Sequence, residues 1–218
     1  MKKTLIVIST FLMIAQSNAQ KGGTELTIKG GVTLPKYSYL NGGSSEDRSV
    51  YQGITAGITL MQYKISRENP GLGFGLSIDY LQAGAINKQP TIAGAVEAKN
   101  RITYIRTTGL FGAKIQNFLE ISGGLYLAKA ISGETVVTKT GGATTTTPFS
   151  FGDKSTYDFI PFDLGYAINA NFNISKVKIG LSLHEGLSDI APQTDIKIRN
   201  SIYSITLGLR LGGGKNND

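Results

Sequence analysis

In 218 residues the chain carries a formal charge of +7, 28 glycines and no cysteine. The missing cysteines exclude disulfides, thiol catalysis, thiolate metal sites and a lipid-modified cysteine. The basic residues are scattered, so on an exported chain they point to an anionic lipopolysaccharide surface or to ordinary surface charge, not to nucleic acid.

The chain opens with Met1-Lys2-Lys3, an apolar run from Leu5 to Ala15, and Ser17-Asn18-Ala19. This is the pattern of a secretory signal peptide over residues 1–19, cut between Ala19 and Gln20. The run is too short to span a bilayer as an anchor. Losing Lys2 and Lys3 leaves +5 on the mature domain, residues 20–218. No later stretch approaches the ~18 consecutive apolar residues of a helical span. An exported chain of this kind enters a membrane only as a closed barrel.

Eight strands are predicted, each from alternation with period two, which sends successive side chains to opposite faces of a sheet. The first runs Thr24–Leu34, with Leu26, Ile28, Gly30, Val32 and Leu34 on one face and Thr27, Lys29, Gly31 and Thr33 on the other. Pro35 is expected to end it. The second, Tyr51–Gln62, turns Ile54, Ala56, Ile58 and Leu60 one way. The third, Leu72–Leu81, sets Leu72, Phe74, Leu76, Ile78 and Tyr80 against Gly73, Gly75, Ser77 and Asp79. The fourth, Ile102–Lys114, alternates least clearly. The fifth, Phe118–Ile131, sets Leu119, Ile121, Leu125 and Leu127 against Glu120, Ser122, Gly124 and Tyr126.

The sixth and seventh form a hairpin. Phe162, Leu164, Tyr166, Ile168, Ala170 and Phe172 share a face with Val177, Ile179, Leu181 and Leu183. With Ile174 and Ser175 as the loop, Phe172 faces Val177 and Gly165 faces His184. A one-residue slip would destroy both faces. The eighth, Ile202–Leu211, sets Tyr203, Ile205, Leu207, Leu209 and Leu211 against Ser204, Thr206, Gly208 and Arg210, and a tail follows over 212–218.

The polar faces hold Gly, Ala, Asn and Ser with sparse charges, which suits a crowded lumen, while the continuous Leu/Ile/Phe faces suit lipid. Long connections at Pro35–Ser49, Ala83–Asn100, Ser132–Asp158 and Ser188–Ile198 alternate with short ones, as in outer-membrane barrels. Aromatic residues Tyr37, Tyr39, Tyr51, Tyr63, Tyr80, Phe118, Phe149, Phe151, Tyr157, Phe159, Phe172 and Tyr203 fall near strand ends. They read as interfacial girdles or as ordinary strand aromatics.

Seven charges share the inward face: Lys29, Asp79, Arg106, Glu120, Asp163, Lys178 and Arg210. An eight-stranded lumen is just wide enough for its own side chains. The charges are expected to pair and plug it, the alternative being a selectivity ring in a narrow channel. Ser182, His184 and Glu185 invite a lipid-hydrolase reading, but Glu185 falls on the opposite face and no Gly-x-Ser-x-Gly elbow exists. One histidine leaves little for a metal. Ser45-Glu46-Asp47 has a spacing common in solvated loops. No catalytic, cofactor or metal site is expected.

The residues Tyr104-Ile105-Arg106, the run Phe118-Leu119-Glu120-Ile121-Ser122-Gly123-Gly124-Leu125-Tyr126-Leu127-Ala128, and the end Arg199–Leu211 resemble the PorT-like outer-membrane β-barrel family. So does Ile28-Lys29-Gly30-Gly31-Val32. Arg106-Thr107-Thr108 departs from the acidic residue and proline usual there, and the last strand ends on Leu211, not on an aromatic. The resemblance implies an integral outer-membrane protein with no defined reaction.

The sequence therefore predicts an all-β chain, an eight-stranded antiparallel up-and-down transmembrane β-barrel in the outer membrane of a Gram-negative cell. It would be a non-enzymatic scaffold displaying loops. Its expected partners are outer-membrane lipid and lipopolysaccharide, the barrel-assembly machinery and a protein partner at the loops. Alternatives are a component of a secretion or envelope-assembly machine, a small pore, and a secreted lipocalin-type ligand carrier.

Overall fold

The computed structural model describes residues 23–40, 48–64, 71–88, 94–116, 118–153, 156–192 and 197–211. The signal peptide with its Ala19–Gln20 junction, the Ser45-Glu46-Asp47 run and the tail 212–218 lie outside the described residues. Ten strands form: β1 (Thr24–Leu40), β2 (Arg48–Ser49), β3 (Gly53–Tyr63), β4 (Gly71–Asn87), β5 (Ala95–Ile115), β6 (Leu119–Lys139), β7 (Thr144–Pro148), β8 (Phe162–Ile174), β9 (Val177–Gly186) and β10 (Lys197–Leu211). Eight of them close a ring in the order β1-β3-β4-β5-β6-β8-β9-β10, each antiparallel to both neighbours, with β10 returning to β1. The short β2 and β7 extend the β4 and β6 ladders. The fold is an all-β, eight-stranded, up-and-down antiparallel barrel.

The stagger of this ring can be read from its pairs. A sideways path from Thr24 runs through Gln62, Phe74, Phe111, Gly123, Ile168, Leu183 and Tyr203 and returns to β1 at Leu34, ten residues beyond its start. Closure with that shift tilts the strands by roughly 35–45°. Alternation then sorts the side chains. Ile28, Ile54, Phe74, Phe111, Leu125, Ile168, Leu181 and Leu207 point outward and are exposed. Thr27, Thr33, Thr55, Ser77, Thr108, Ser122 and Thr206 point inward and are buried. Inward glycines make room for larger neighbours. A Cβ on Gly165 would sit 2.5 Å from the ring of Tyr126, its partner across the β6–β8 ladder.

Three expectations are corrected. Pro35 does not end the first strand, because β1 continues beside β10 to Leu40↔Lys197. The proline carbonyl accepts a hydrogen bond from Tyr51 N on the β3 side. Its missing N–H therefore faces the edge where the β1–β3 ladder has already stopped, at Thr33↔Gly53. Much of the predicted loop sequence is strand: β4 and β5 pair up to Asn87↔Ala98, and β5 and β6 up to Ala95↔Lys139. These strands stand as walls beyond the apolar belt.

The hairpin register also differs. Phe172 faces Ile179, His184 faces Ala167, and the loop residues are Ser175 and Lys176. Each face survives, because a shift of the pairing by two leaves every side chain on its own side. Ser175 takes the positive φ (56°) that the turn demands.

At the loop end the lumen is filled by apolar side chains. Tyr37, Leu81, Ile102, Tyr104 and Ile202 pack there with Phe159 and Ile190, which are carried in by the connecting segments, while Phe149 and Phe151 close over them. Four of the aromatics assigned to girdles thus belong to an internal plug, Tyr37 included. Tyr63 is also buried, in a separate cluster with Met61 and Leu110. Phe118, Tyr157 and Tyr203 remain on the exposed surface.

Candidate functional site in the barrel lumen

Every inward charge comes from a strand position of one parity, so the ring gathers them into tiers along its axis. Nearest the tight turns, Glu25 at the start of β1 receives Lys114 Nζ at 2.9 Å and Arg210 Nη1 at 3.5 Å, and Lys178 Nζ bonds it as well. Lys178 also reaches Glu120 at 2.8 Å, and Asn171 donates to the same carboxylate at 2.9 Å. Lys114 lies 5.4 Å from the centroid of the Tyr63 ring.

In the middle tier Asp79 binds Lys29 Nζ at 2.9 Å through Oδ1 and Arg106 Nη2 at 3.2 Å through Oδ2. Ser77 Oγ donates to Asp79 Oδ2 at 3.0 Å and meets Thr59 Oγ1 at 2.9 Å. Arg106 also lies 5.6 Å from the centroid of Tyr126. Higher still, Asp163 has no cation in hydrogen-bonding contact among the described residues. It accepts instead from Asn200 Nδ2 at 2.9 Å, Ser188 Oγ at 3.0 Å and Tyr126 Oη at 3.2 Å. The apolar plug lies directly above.

The structure turns all seven sequence-predicted charges inward. It joins Lys29, Asp79 and Arg106 in one group, Glu120, Lys178 and Arg210 around Glu25 in a second, and sets Asp163 apart. Sequence reasoning missed Glu25 and Lys114. Both carried the signal, since Glu25 has the parity of Thr27 and Lys114 that of Gly112. Glu25 preceded the first counted inward residue, and Lys114 sat at the end of the strand with the weakest alternation.

Between the tiers the lumen keeps a cavity of about 30 Å³, lined among others by Lys29, Asp79, Glu120, Lys178, Ser182 and His184. That volume holds about two waters. His184 is buried, meets the Tyr126 ring edge-on with centroids 6.2 Å apart, and its Nδ1 finds no hydrogen-bond partner among the described residues. Ser182 and His184 both line the cavity, but Glu185 lies on the outer face and accepts from Ser201 Oγ at 2.6 Å. The three do not assemble as a triad. Among the described residues no cluster of His, Asp and Glu could hold a metal.

Chemically, the arrangement is a set of opposite charges that neutralise one another inside the ring. Four acids face five bases in a space with room for a few waters, and each buried charge has a partner in place of bulk solvent.

No protein-family model matches the chain, and no curated relative matches it in sequence. Among solved structures the chain is similar to Ail, the attachment invasion locus protein of Yersinia pestis. Identity is 12% over 87% of this chain and 99% of that one, with a TM-score of 0.44. It is similar to neisserial surface protein A at 12% identity over 84% and 96%, with a TM-score of 0.47. It is similar to the outer membrane protein OprG from Pseudomonas aeruginosa at 12% identity over 88% and 97%, with a TM-score of 0.36. These are likenesses in the path of the chain.

Proposed function

We propose that this chain is an integral β-barrel of a Gram-negative outer membrane, closed to solutes and non-enzymatic, and that it acts as a scaffold whose walls and loops stand outside the cell. One observation carries the reading: the outward face of the ring is apolar all the way round, while ion pairs fill the inside. In water that belt would far exceed the few hundred Å² of contiguous apolar surface a soluble monomer tolerates. A soluble ligand carrier would need the opposite sorting. Against hydrocarbon the belt is at ease, and its height fits. Leu26, Ile28, Gly30, Val32 and Leu34 are the outward positions of β1 before Lys36 interrupts, close to the ~9–11 residues a tilted strand uses to cross.

The opposite rim carries the tight turns, between β5 and β6 and between β8 and β9, which are expected in the periplasm. The loop end then faces outward. Lipopolysaccharide around the belt and a protein partner on the loops are the contacts this reading expects. The PorT-like strand motifs support a place in that family.

Planar-bilayer recording tests closure. The purified barrel should give no steady conductance, because both the charge tiers and the plug block the axis. Sustained, reproducible channel openings would reverse the reading in favour of a small pore.

A further inference from the structure

We infer that the outward face of the β1–β10 seam, just beyond the belt, docks the phosphorylated headgroup of an outer-leaflet glycolipid, whose acyl chains lie on the apolar face below. The inference rests on the membrane reading. It starts from register. Leu34 pairs with Tyr203, Lys36 with Ser201, Ser38 with Arg199 and Leu40 with Lys197. Lys36, Ser38, Lys197 and Arg199 therefore share one outward face. Lys36 and Arg199 are diagonal neighbours across the ladder, within reach of one small anion.

These three cations are not spent elsewhere. The lumen bases are matched to Glu25, Asp79 and Glu120. On the far wall Arg101 is matched to Glu134 and Lys99 to Glu97. Lys36, Lys197 and Arg199 have no ion pair among the described residues. The carboxylates of the adjoining segments, Glu185 and Asp189, form no ion pair with these cations among the described residues and take neutral donors instead. Glu185 holds Ser201 Oγ at 2.6 Å. Asp189 accepts the backbone N–H groups of Ala191 at 3.0 Å and Ile198 at 2.9 Å.

Position selects the occupant. Lys36 Nζ lies 5.8 Å from the centroid of Tyr203, an aromatic at the edge of the belt, so the cluster sits where polar headgroup meets hydrocarbon. An anion held there is continuous with Leu34, Tyr203 and Ile205 beneath. A lipid satisfies both halves of this surface; a free anion satisfies one. Arginine and lysine together suit a phosphate monoester, the first by paired hydrogen bonds and the second as a point charge.

The test uses the full-length mature protein, refolded in a neutral detergent and titrated with bisphosphorylated lipid A, dephosphorylated lipid A and inorganic phosphate. The folded state is checked by its compact, heat-modifiable band. Bisphosphorylated lipid A should bind the native barrel best and lose affinity as salt rises. The triple variant Lys36→Gln/Lys197→Gln/Arg199→Gln should weaken that binding roughly 10- to 100-fold. The double variant Lys64→Gln/Lys176→Gln, at the opposite rim, should leave it unchanged.

Equal binding of the dephosphorylated lipid, an unaffected triple variant, or inorganic phosphate binding as tightly as the lipid would each overturn the inference. If the triple variant fails to fold, the salt dependence and phosphate preference of the native barrel still decide. A barrel that needs no detergent to stay soluble would defeat the membrane reading itself, a result distinct from all of these.

Discussion

Asp79→Asn is expected to destabilise the barrel by about 3–5 kcal/mol, the cost of removing one partner from a buried ionic group. Among the described residues, Asp79 is the sole anion in contact with both Lys29 and Arg106. Arg106 is buried with its guanidinium over Tyr126, and among the described residues no second carboxylate is in hydrogen-bonding contact with it. The asparagine keeps the volume and the Ser77 contact but strands two positive charges in a narrow lumen. Adding Arg106→Gln should recover part of the loss, since the double variant leaves one cation to be satisfied instead of two. The chain contains no tryptophan, so urea unfolding is best followed by circular dichroism or by loss of the compact band. A change within about 0.5 kcal/mol, the size of an ordinary surface substitution, would show that the tiers contribute nothing.

Leu207→Arg is expected to cost about 2–4 kcal/mol in phospholipid vesicles, the range for an arginine facing lipid at the bilayer midplane. Leu207 lies midway along the outward row of β10 and is 63% exposed, among the most exposed large apolar residues of the barrel. On a soluble protein the same change would remove a greasy residue from water and leave stability nearly unaltered. The sign of the result therefore reports the solvent. Unfolding in vesicles compared with the parent protein is the measurement, and an unchanged midpoint would count against a lipid-facing belt.

These two variants sit on opposite faces of the same strands, and the faces are the part of the fold that was legible in the sequence. Thr27 and Ile28, Ser77 and Ile78, or Thr206 and Leu207 were separable because a strand has a strict period of two. Register was not legible to the same degree. The pattern around Phe172 repeats every two residues, so Val177 and Ile179 were equally good partners for it by periodicity. The choice was made by the turn, where Ser175 accepts a left-handed conformation. Strand length was lost where the chain leaves the belt. Lys99, Asn100 and Arg101 pair with Val136, Thr135 and Glu134, yet water reaches both faces there and alternation carries no information.

The lumen was half legible. A charge on the small-residue face of a strand is conspicuous, so Lys29, Asp79 and Glu120 were found, but which charge meets which depends on the stagger. Asp79 pairs across its ladder with Arg106, whereas Glu25 on β1 meets Lys178 on β9, past the intervening β10. The plug was not legible at all. Phe149, Phe151, Phe159 and Ile190 lie in connecting segments with no period to show that they turn inward. Near strand ends an aromatic that fills a lumen and one that floats at an interface read alike.

The absence of cysteine makes one measurement direct. Single Leu164→Cys, Leu181→Cys and Leu207→Cys variants, each carrying a nitroxide label in phospholipid vesicles, report what surrounds the outward row. All three labels should be open to oxygen, which dissolves in hydrocarbon, and shielded from a water-soluble nickel chelate. Nickel access equal to that of a label in bulk water would mean that the apolar row faces solvent, and the membrane barrel would have to be abandoned.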